Sequence, residues 1–228
     1  MLITTKAEED ALTVFEVGIE TLMKRCPFLG FIMDVRSRFA EERLRKQVQD
    51  IQEKLDAIQR THSNAIDKAF QNTPEYNDLV FFILEKALKN RFEEKMKFFT
   101  DVCVANSLRD RPKYNTDLQE EFIKTVADMR QDELSLLYRL YNPEHDPFNY
   151  EQYEKAEKIN GTVFEFPIRD YEIAVGSLYS RQLVNKIRGW SEANDHPKVT
   201  VFGVELISYM RDVSKITQNA LHSVRNKE

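Results

Sequence analysis

Glycine and proline are scarce in this chain, 6 and 7 of 228 residues, against roughly 7% and 5% in average proteins. Little material is left for tight turns or phosphate-cradling loops. GxGxxG and GxxxxGK[ST] are both absent, which argues against the standard dinucleotide and P-loop nucleotide sites. Cysteine is scarcer still. Cys26 and Cys103 stand 77 positions apart, giving neither a disulfide framework nor the paired CxxC spacing of structural zinc. No HExxH or ExxH occurs, and His196 and His222 have no companion at ligand spacing, so neither a metal nor another cofactor is expected. The adjacent carboxylates Glu41-Glu42, Glu93-Glu94 and Glu120-Glu121 point about 100° apart on a helix and do not converge on one substrate atom. No catalytic residue is assigned from these patterns.

Long apolar runs are missing as well. The longest are Cys26 to Met33, interrupted by Pro27 and Gly30, and Leu79 to Leu84. Both fall far short of the roughly 18 residues that span a bilayer, and no transmembrane segment is expected. The first ten residues carry acidic side chains where a signal peptide needs a basic region and an apolar stretch, so a reducing cytoplasm is the expected location. The balance of 33 Lys+Arg against 38 Asp+Glu, with 42% hydrophobic residues, describes a soluble globular protein. Asn160-Gly161-Thr162 fits the glycosylation sequon but reads better as a turn, since both Asn and Gly tolerate positive φ.

What is present is helical periodicity. Leu12, Phe15, Ile19 and Leu22 recur at threes and fours over about Glu8 to Lys24, before Pro27 and Gly30. The clearest signal follows. Leu44, Val48, Ile51, Leu55, Ile58, His62, Ala65 and Ala69 alternate spacings of four and three, the a/d seam of a helical hairpin or a two-stranded coiled coil. Gln47, Gln52, Lys54 and Gln59 flank it without a charge code, so the seam's partner is either the same chain or a second copy. His62 on that seam is a packing residue or a pH-sensitive register device. Thr73-Pro74 marks a helix start, Thr as cap and Pro at the first position. The apolar set from Leu79 to Cys103 predicts one long helix through about Leu108, antiparallel to the heptad helix. The polar stretch around Pro112 is the expected boundary between residues 1–112 and 113–228.

Beyond it, Leu118, Phe122, Val126 and Met129 predict one short helix, and Asp132 as cap predicts a second. An insert at about 142–168 mixes prolines and aromatics and ends in a short strand over Thr162 to Ile168. A helix is expected from Tyr171 to Ile187. Two strands, Gly189 to Asp195 and Lys198 to Val201, should then precede a last helix from Phe202 or Gly203 past Leu221.

Paired short helices, a third helix, a two-stranded wing and a closing helix are the order of a winged helix. Met129-Arg-Gln-Asp-Glu-Leu-Ser-Leu-Leu is similar to an L-s-x-x-E-L-x-x-L helix pair. Gly176-Ser-Leu-Tyr-Ser-Arg-Gln-Leu-Val-Asn-Lys-Ile-Arg-Gly-Trp is similar to a helix leading into a wing, and Val199-Thr-Val-Phe-Gly to an l-T-x-x-G wing-to-helix turn. Through these, and through Cys26-Pro-Phe-Leu-Gly before the charged heptad helix, the chain resembles bacterial defence-associated helical proteins of the abortive-infection alpha type. Trp190 stands where an aliphatic residue is commoner, and the insert is foreign to a minimal winged helix. The resemblance implies no catalytic residues.

On a winged helix the Tyr171 to Ile187 helix would enter the major groove with Arg181, Gln182, Asn185 and Lys186, while Arg188 and Lys198 would hold phosphates. From Asp170 onward, however, there are 8 Lys+Arg against 7 Asp+Glu, a weak electrostatic footprint. Protein docking through the same fold competes with DNA contact. Arg139 and His145 satisfy an R-x(4–6)-H spacing seen in helical ribonucleases, with Pro143 between them, so a helical ribonuclease or toxin using these two residues is the alternative function. An alternative for Val14 to Met33 is a membrane-surface helix, though few Lys or Arg accompany it. The sequence therefore predicts a mostly α protein. A long helical hairpin or coiled coil precedes a winged-helix-like α+β unit, and the whole is a non-enzymatic interaction or regulatory module. A homo-oligomer and a protein partner are expected, with nucleic acid as a further candidate partner.

Overall fold

The computed structural model describes residues 38–62, 64–142, 150–185 and 197–225. Among them the protein is mostly helical, with nine helices and two short antiparallel strand pairs. The helix expected over Glu8 to Lys24, the Val14 to Met33 segment and Cys26 lie outside the described residues. The chain divides into two compact units, Met1–Asp110 with Thr217–Glu228, and Arg111–Ile216.

The first unit holds α1 (Arg38–Thr61), α2 (Lys68–Gln71), α3 (Pro74–Lys89) and α4 (Glu93–Asn106). Thr73 caps α3, its hydroxyl accepting from the Tyr76 amide, and Pro74 occupies the first turn. The single helix expected through Leu108 is two. Asn90 turns extended (φ −102°, ψ 148°), and its side-chain amide donates to the Lys86 carbonyl at 2.9 Å. The ammonium of Lys95, 1% exposed, donates to Asn90 Oδ1 at 3.0 Å and holds the break from the other side. Asn competes with helix backbone for hydrogen bonds, so the apolar periodicity ran through a stop it did not encode.

α1 and α3 both pack on α4, and every residue from Phe98 to Asn106 is buried. A helix buried all round must satisfy each polar group it carries. The Gln47 amide donates to Thr100 Oγ1 at 2.6 Å and to the Met96 carbonyl at 3.0 Å. Lys54 Nζ donates to Asp101 Oδ1 at 3.0 Å, the Thr217 hydroxyl to the Asp101 carbonyl at 3.2 Å, and the Asn106 amide to the Val102 carbonyl at 2.9 Å. These bonds aim the Gln47 and Lys54 side of α1 at α4. Along the heptad seam Ile58 is fully buried, while Val48, Ile51, Leu55 and His62 are half-buried. The Leu44 side chain lies outside the described residues. The seam thus finds part of its cover within its own chain.

The second unit holds α5 (Thr116–Asp128), α6 (Gln131–Tyr141), α7 (Tyr150–Ile159), β1 (Thr162–Val163), β2 (Phe166–Pro167), α8 (Ile168–Ser180), β3 (Val184–Asn185), β4 (Lys198–Val199) and α9 (Val201–Arg225) as far as Ile216. Its core includes Phe122, Leu136, Leu137, Tyr171, Leu178 and Tyr209, all fully buried. The Tyr209 hydroxyl donates to Gln119 Oε1 at 3.0 Å, so this large ring enters the core with its polar end satisfied. Asp132 does not cap α6. Glu133 folds back instead, its carboxylate accepting from the Arg130 amide at 2.9 Å, and Asp132 pairs with the Arg130 guanidinium.

The strand expected over Thr162 to Ile168 is a hairpin, with Thr162 opposite Pro167 and Val163 opposite Phe166. Its two-residue turn holds Phe164 at φ 50° and Glu165 at φ 66°. Positive φ at both central residues is the type I′ turn that matches strand twist, normally built from Asn-Gly. Side chains larger than Gly or Asn cost about 1–2 kcal/mol each in that conformation. The preceding turn uses Asn160 at φ 53° to end α7, and the Gly161 amide returns to the Ala156 carbonyl at 2.8 Å.

Two outcomes test the first unit. Ile58→Asp puts a carboxylate in a fully buried position and should cost about 3 kcal/mol or more, read as a lower melting temperature. An unchanged melting temperature contradicts the packing of α1 described above. Burial also pushes the Cys103 thiol from 9.0 up to about 12 and the Tyr76 hydroxyl from 10.0 up to about 12. The unfolded chain releases those protons at ordinary values while the fold retains them. Stability should therefore fall as pH rises from about 9 toward 12. Urea midpoints across that range should drop, and should drop less steeply in Cys103→Ala.

Candidate functional site

The buried side of α8 is Ile168, Tyr171, Ala174, Val175 and Leu178. Its opposite stripe is exposed and unusual in composition. Ile173 and Tyr179 are each 47% exposed, six residues and so about 120° apart around the helix, with Gly176 between them. A Cβ added at Gly176 would meet nothing within 4 Å. Glycine inside a helix costs about 1 kcal/mol relative to Ala, and no close approach among the described residues calls for it here. Arg169, Asp170 and Glu172 are exposed at the amino-terminal end of the stripe, a local charge of −1. Glu172 also accepts from the Tyr153 hydroxyl at 3.1 Å.

α8 ends at Ser180, earlier than the expected Ile187, and this relocates the candidate DNA-reading residues. Gln182 sits at φ 60°. Its amide bonds the Tyr179 carbonyl and the Leu183 amide bonds the Leu178 carbonyl, both at 2.9 Å. This is the two-bond helix ending usually marked by glycine. With Gln in that position, the sequence gives no stop signal. Arg181 and Gln182 therefore lie in the turn and Asn185 on β3, not on a helix face. Arg181 is spent internally: Nη2 donates to the Asp128 carbonyl at 2.8 Å, and Nε lies 3.8 Å from Glu133 Oε2. Gln182, Asn185 and Lys198 are exposed, and Asn185 pairs with Lys198 across the strands. The strand partner of Lys198–Val199 is thus Val184–Asn185. Lys186, Arg188 and the strand expected over Gly189 to Asp195 lie outside the described residues.

The l-T-x-x-G turn has a physical account. The Thr200 hydroxyl donates to the Gln182 carbonyl at 2.6 Å and accepts from the Gly203 amide at 3.1 Å, capping α9 while fastening it to the end of α8. The Thr200 amide bonds the Leu183 carbonyl at 3.0 Å. A Cβ on Gly203 would stand 2.5 Å from that same carbonyl oxygen and 2.7 Å from Val199 Cγ1. Only glycine lets α9 start here.

Of the remaining sequence candidates, Arg139 forms a 2.6 Å ion pair with Glu165, and His145 lies outside the described residues. His62 Nε2 is buried without a hydrogen-bond partner. Among the described residues no group of three or more His, Cys, Asp and Glu side chains is placed to hold a metal ion, and no helix is long and apolar enough to cross a membrane. The exposed pair Ile173 and Tyr179 escaped the sequence reading. The available signal was that both are out of phase with the buried stripe of α8. No protein-family model, no curated protein and no solved structure matches the chain.

The two glycines make opposite predictions. Gly203→Ala should destabilise the second unit by about 1–3 kcal/mol, because the added Cβ would stand 2.5 Å from the Leu183 carbonyl oxygen and force backbone to shift. Gly176→Ala should stabilise it by about 0.5–1 kcal/mol. Thermal melts of the two variants moving in the same direction would contradict the placement of α8 and α9.

Proposed function

We propose that the protein is a non-enzymatic interaction or regulatory module whose second unit docks a protein partner through the exposed stripe of α8. The observation that supports this best is Gly176, open to solvent between Ile173 and Tyr179. An approaching backbone or side chain can reach the helix axis there and bury two large side chains around itself. The order of elements supports a winged-helix-like reading, with α5 and α6 as the paired helices, α8 in the third-helix position, β3–β4 as the base of the wing and α9 closing. α7 and β1–β2 are inserted. In such a unit the third helix usually meets the ligand. A helix that reads a major groove presents cations and amide donors, whereas the α8 stripe offers Arg169 against Asp170 and Glu172. That charge balance favours a protein over DNA. The sequence resemblance to abortive-infection alpha-type proteins goes with the same reading, in which the module would serve bacterial phage defence.

Self-association is the second part of the proposal. Val48, Ile51 and Leu55 are only half-buried, which leaves apolar surface along α1 for a second copy. Sedimentation equilibrium should give a mass above one chain, reduced to one chain in Val48→Glu.

Fluorescence anisotropy with a labelled mixed-sequence duplex tests the choice of ligand. The response should stay flat at low salt up to about 100 μM protein. Binding that tightens steeply as salt falls, and weakens in Lys198→Gln, would overturn the proposal in favour of DNA.

A further inference from the structure

The β1–β2 hairpin, the end of α7 and the last turn of α6 enclose an open cleft of about 620 Å³. Two cations line it, Arg139 from α6 and Lys155 from α7, together with Thr162 and the Phe164 side chain. Ile159, 66% exposed, adds a second apolar side chain. Ala156, Gly161 and Glu165 also line it among the described residues. The Glu165 carboxylate reaches Arg139 Nη2 at 2.6 Å although the residue is otherwise in water, its side chain 85% exposed.

This arrangement is maintained against local preference. Phe164 and Glu165 both adopt the left-handed conformation, which neither residue favours, and such strain concentrates at ligand sites and switches. The contacts that reach outward from the strained turn include these two. Phe164 meets the Tyr171 ring at 6.1 Å with the two rings tilted by 53°, and Glu165 pairs with Arg139. The first anchors the turn to the core. The second is an exposed ion pair, and exposed pairs contribute little to stability. A carboxylate held on an arginine by so weak a contact is readily exchanged for a better anion. A phosphate dianion carries twice the charge and accepts both arms of a guanidinium.

We propose that this cleft binds a small organic phosphate, with Arg139 and Lys155 on the phosphoryl group, the Thr162 hydroxyl in reach as a donor, and Phe164 and Ile159 against the organic part. Glu165 is an internal substitute for that anion on Arg139 and swings out when the phosphate enters. No bond is made or broken. The site is separate from the α8 stripe, so it stands or falls independently of the docking proposal.

Isothermal titration of the full chain with inorganic phosphate and with phenyl phosphate tests it. Phenyl phosphate should bind more tightly than inorganic phosphate, and Phe164→Ala should remove the difference. Glu165→Gln, which cannot compete as an anion, should tighten phenyl phosphate binding by about tenfold. Arg139→Gln should abolish it, and Lys155→Gln should weaken it. Circular dichroism and melting temperature identify folded variants. Should Arg139→Gln not fold, the Glu165→Gln and Lys155→Gln pair decides alone. No measurable binding to wild type or Glu165→Gln would overturn the assignment, as would binding indifferent to Glu165 and Lys155.

Discussion

No side chain fits between the first turn of α9 and the carbonyl of Leu183. A Cβ at Gly203 would lie 2.5 Å from that oxygen, and the same carbonyl accepts the Thr200 amide. The second unit depends on this contact. It brings β4 against β3, and it gives the Thr200 hydroxyl a position from which it caps α9 and holds the Gln182 carbonyl. With Gln182 so held in the left-handed conformation, α8 stops at Ser180 and Arg181 turns back onto α5 and α6. The face that α8 shows to solvent is a consequence. Arg181, which a longer helix would have carried, is placed beyond its end, and Ile173, Gly176 and Tyr179 are left as its outward stripe.

The first unit is governed by a different constraint. α4 is buried around its whole circumference from Phe98 to Asn106, so its polar groups must be met by the helices around it. Gln47 and Lys54 on α1 do this for Thr100 and Asp101, and Asn90 does it for Lys95. Such bonds give little net energy, but the groups are expensive to leave unmet. They therefore fix the rotation of α1 on α4 together with its apolar seam. Each unit is thus specified by a few polar contacts laid over an unexceptional apolar pattern.

That division explains what was legible in the sequence. Long helices are written in repeating apolar spacings, and Thr73-Pro74 announces a cap whose residue types suit few other roles, whereas Thr200 was expected on a strand and caps α9 instead. The mostly helical character followed from these and from the scarcity of glycine. The exceptions involve residues acting outside their usual roles. Gln182 ends a helix where glycine is expected, Phe164-Glu165 forms a turn normally made by Asn-Gly, and Asn90 interrupts an unbroken apolar run. In each case tertiary contacts outweigh local preference, and a single chain read along its length does not display those contacts. Gln47 and Lys54 looked like indifferent flanking positions because their partners lie 53 and 47 residues away.

The candidate site was legible only in part. The region was identified, but attention fell on its cations. What distinguishes α8 is two exposed apolar residues out of phase with its buried stripe, astride a glycine that packing does not require. The direct test of that stripe as a protein-docking surface is site-specific photocrosslinking in cells that naturally make the protein, with a photoreactive phenylalanine analogue at position 179. A discrete protein adduct that disappears when Ile173→Asp is added is the predicted result. Adducts to nucleic acid, or adducts no different from those of the same probe at the exposed position 121, would contradict it.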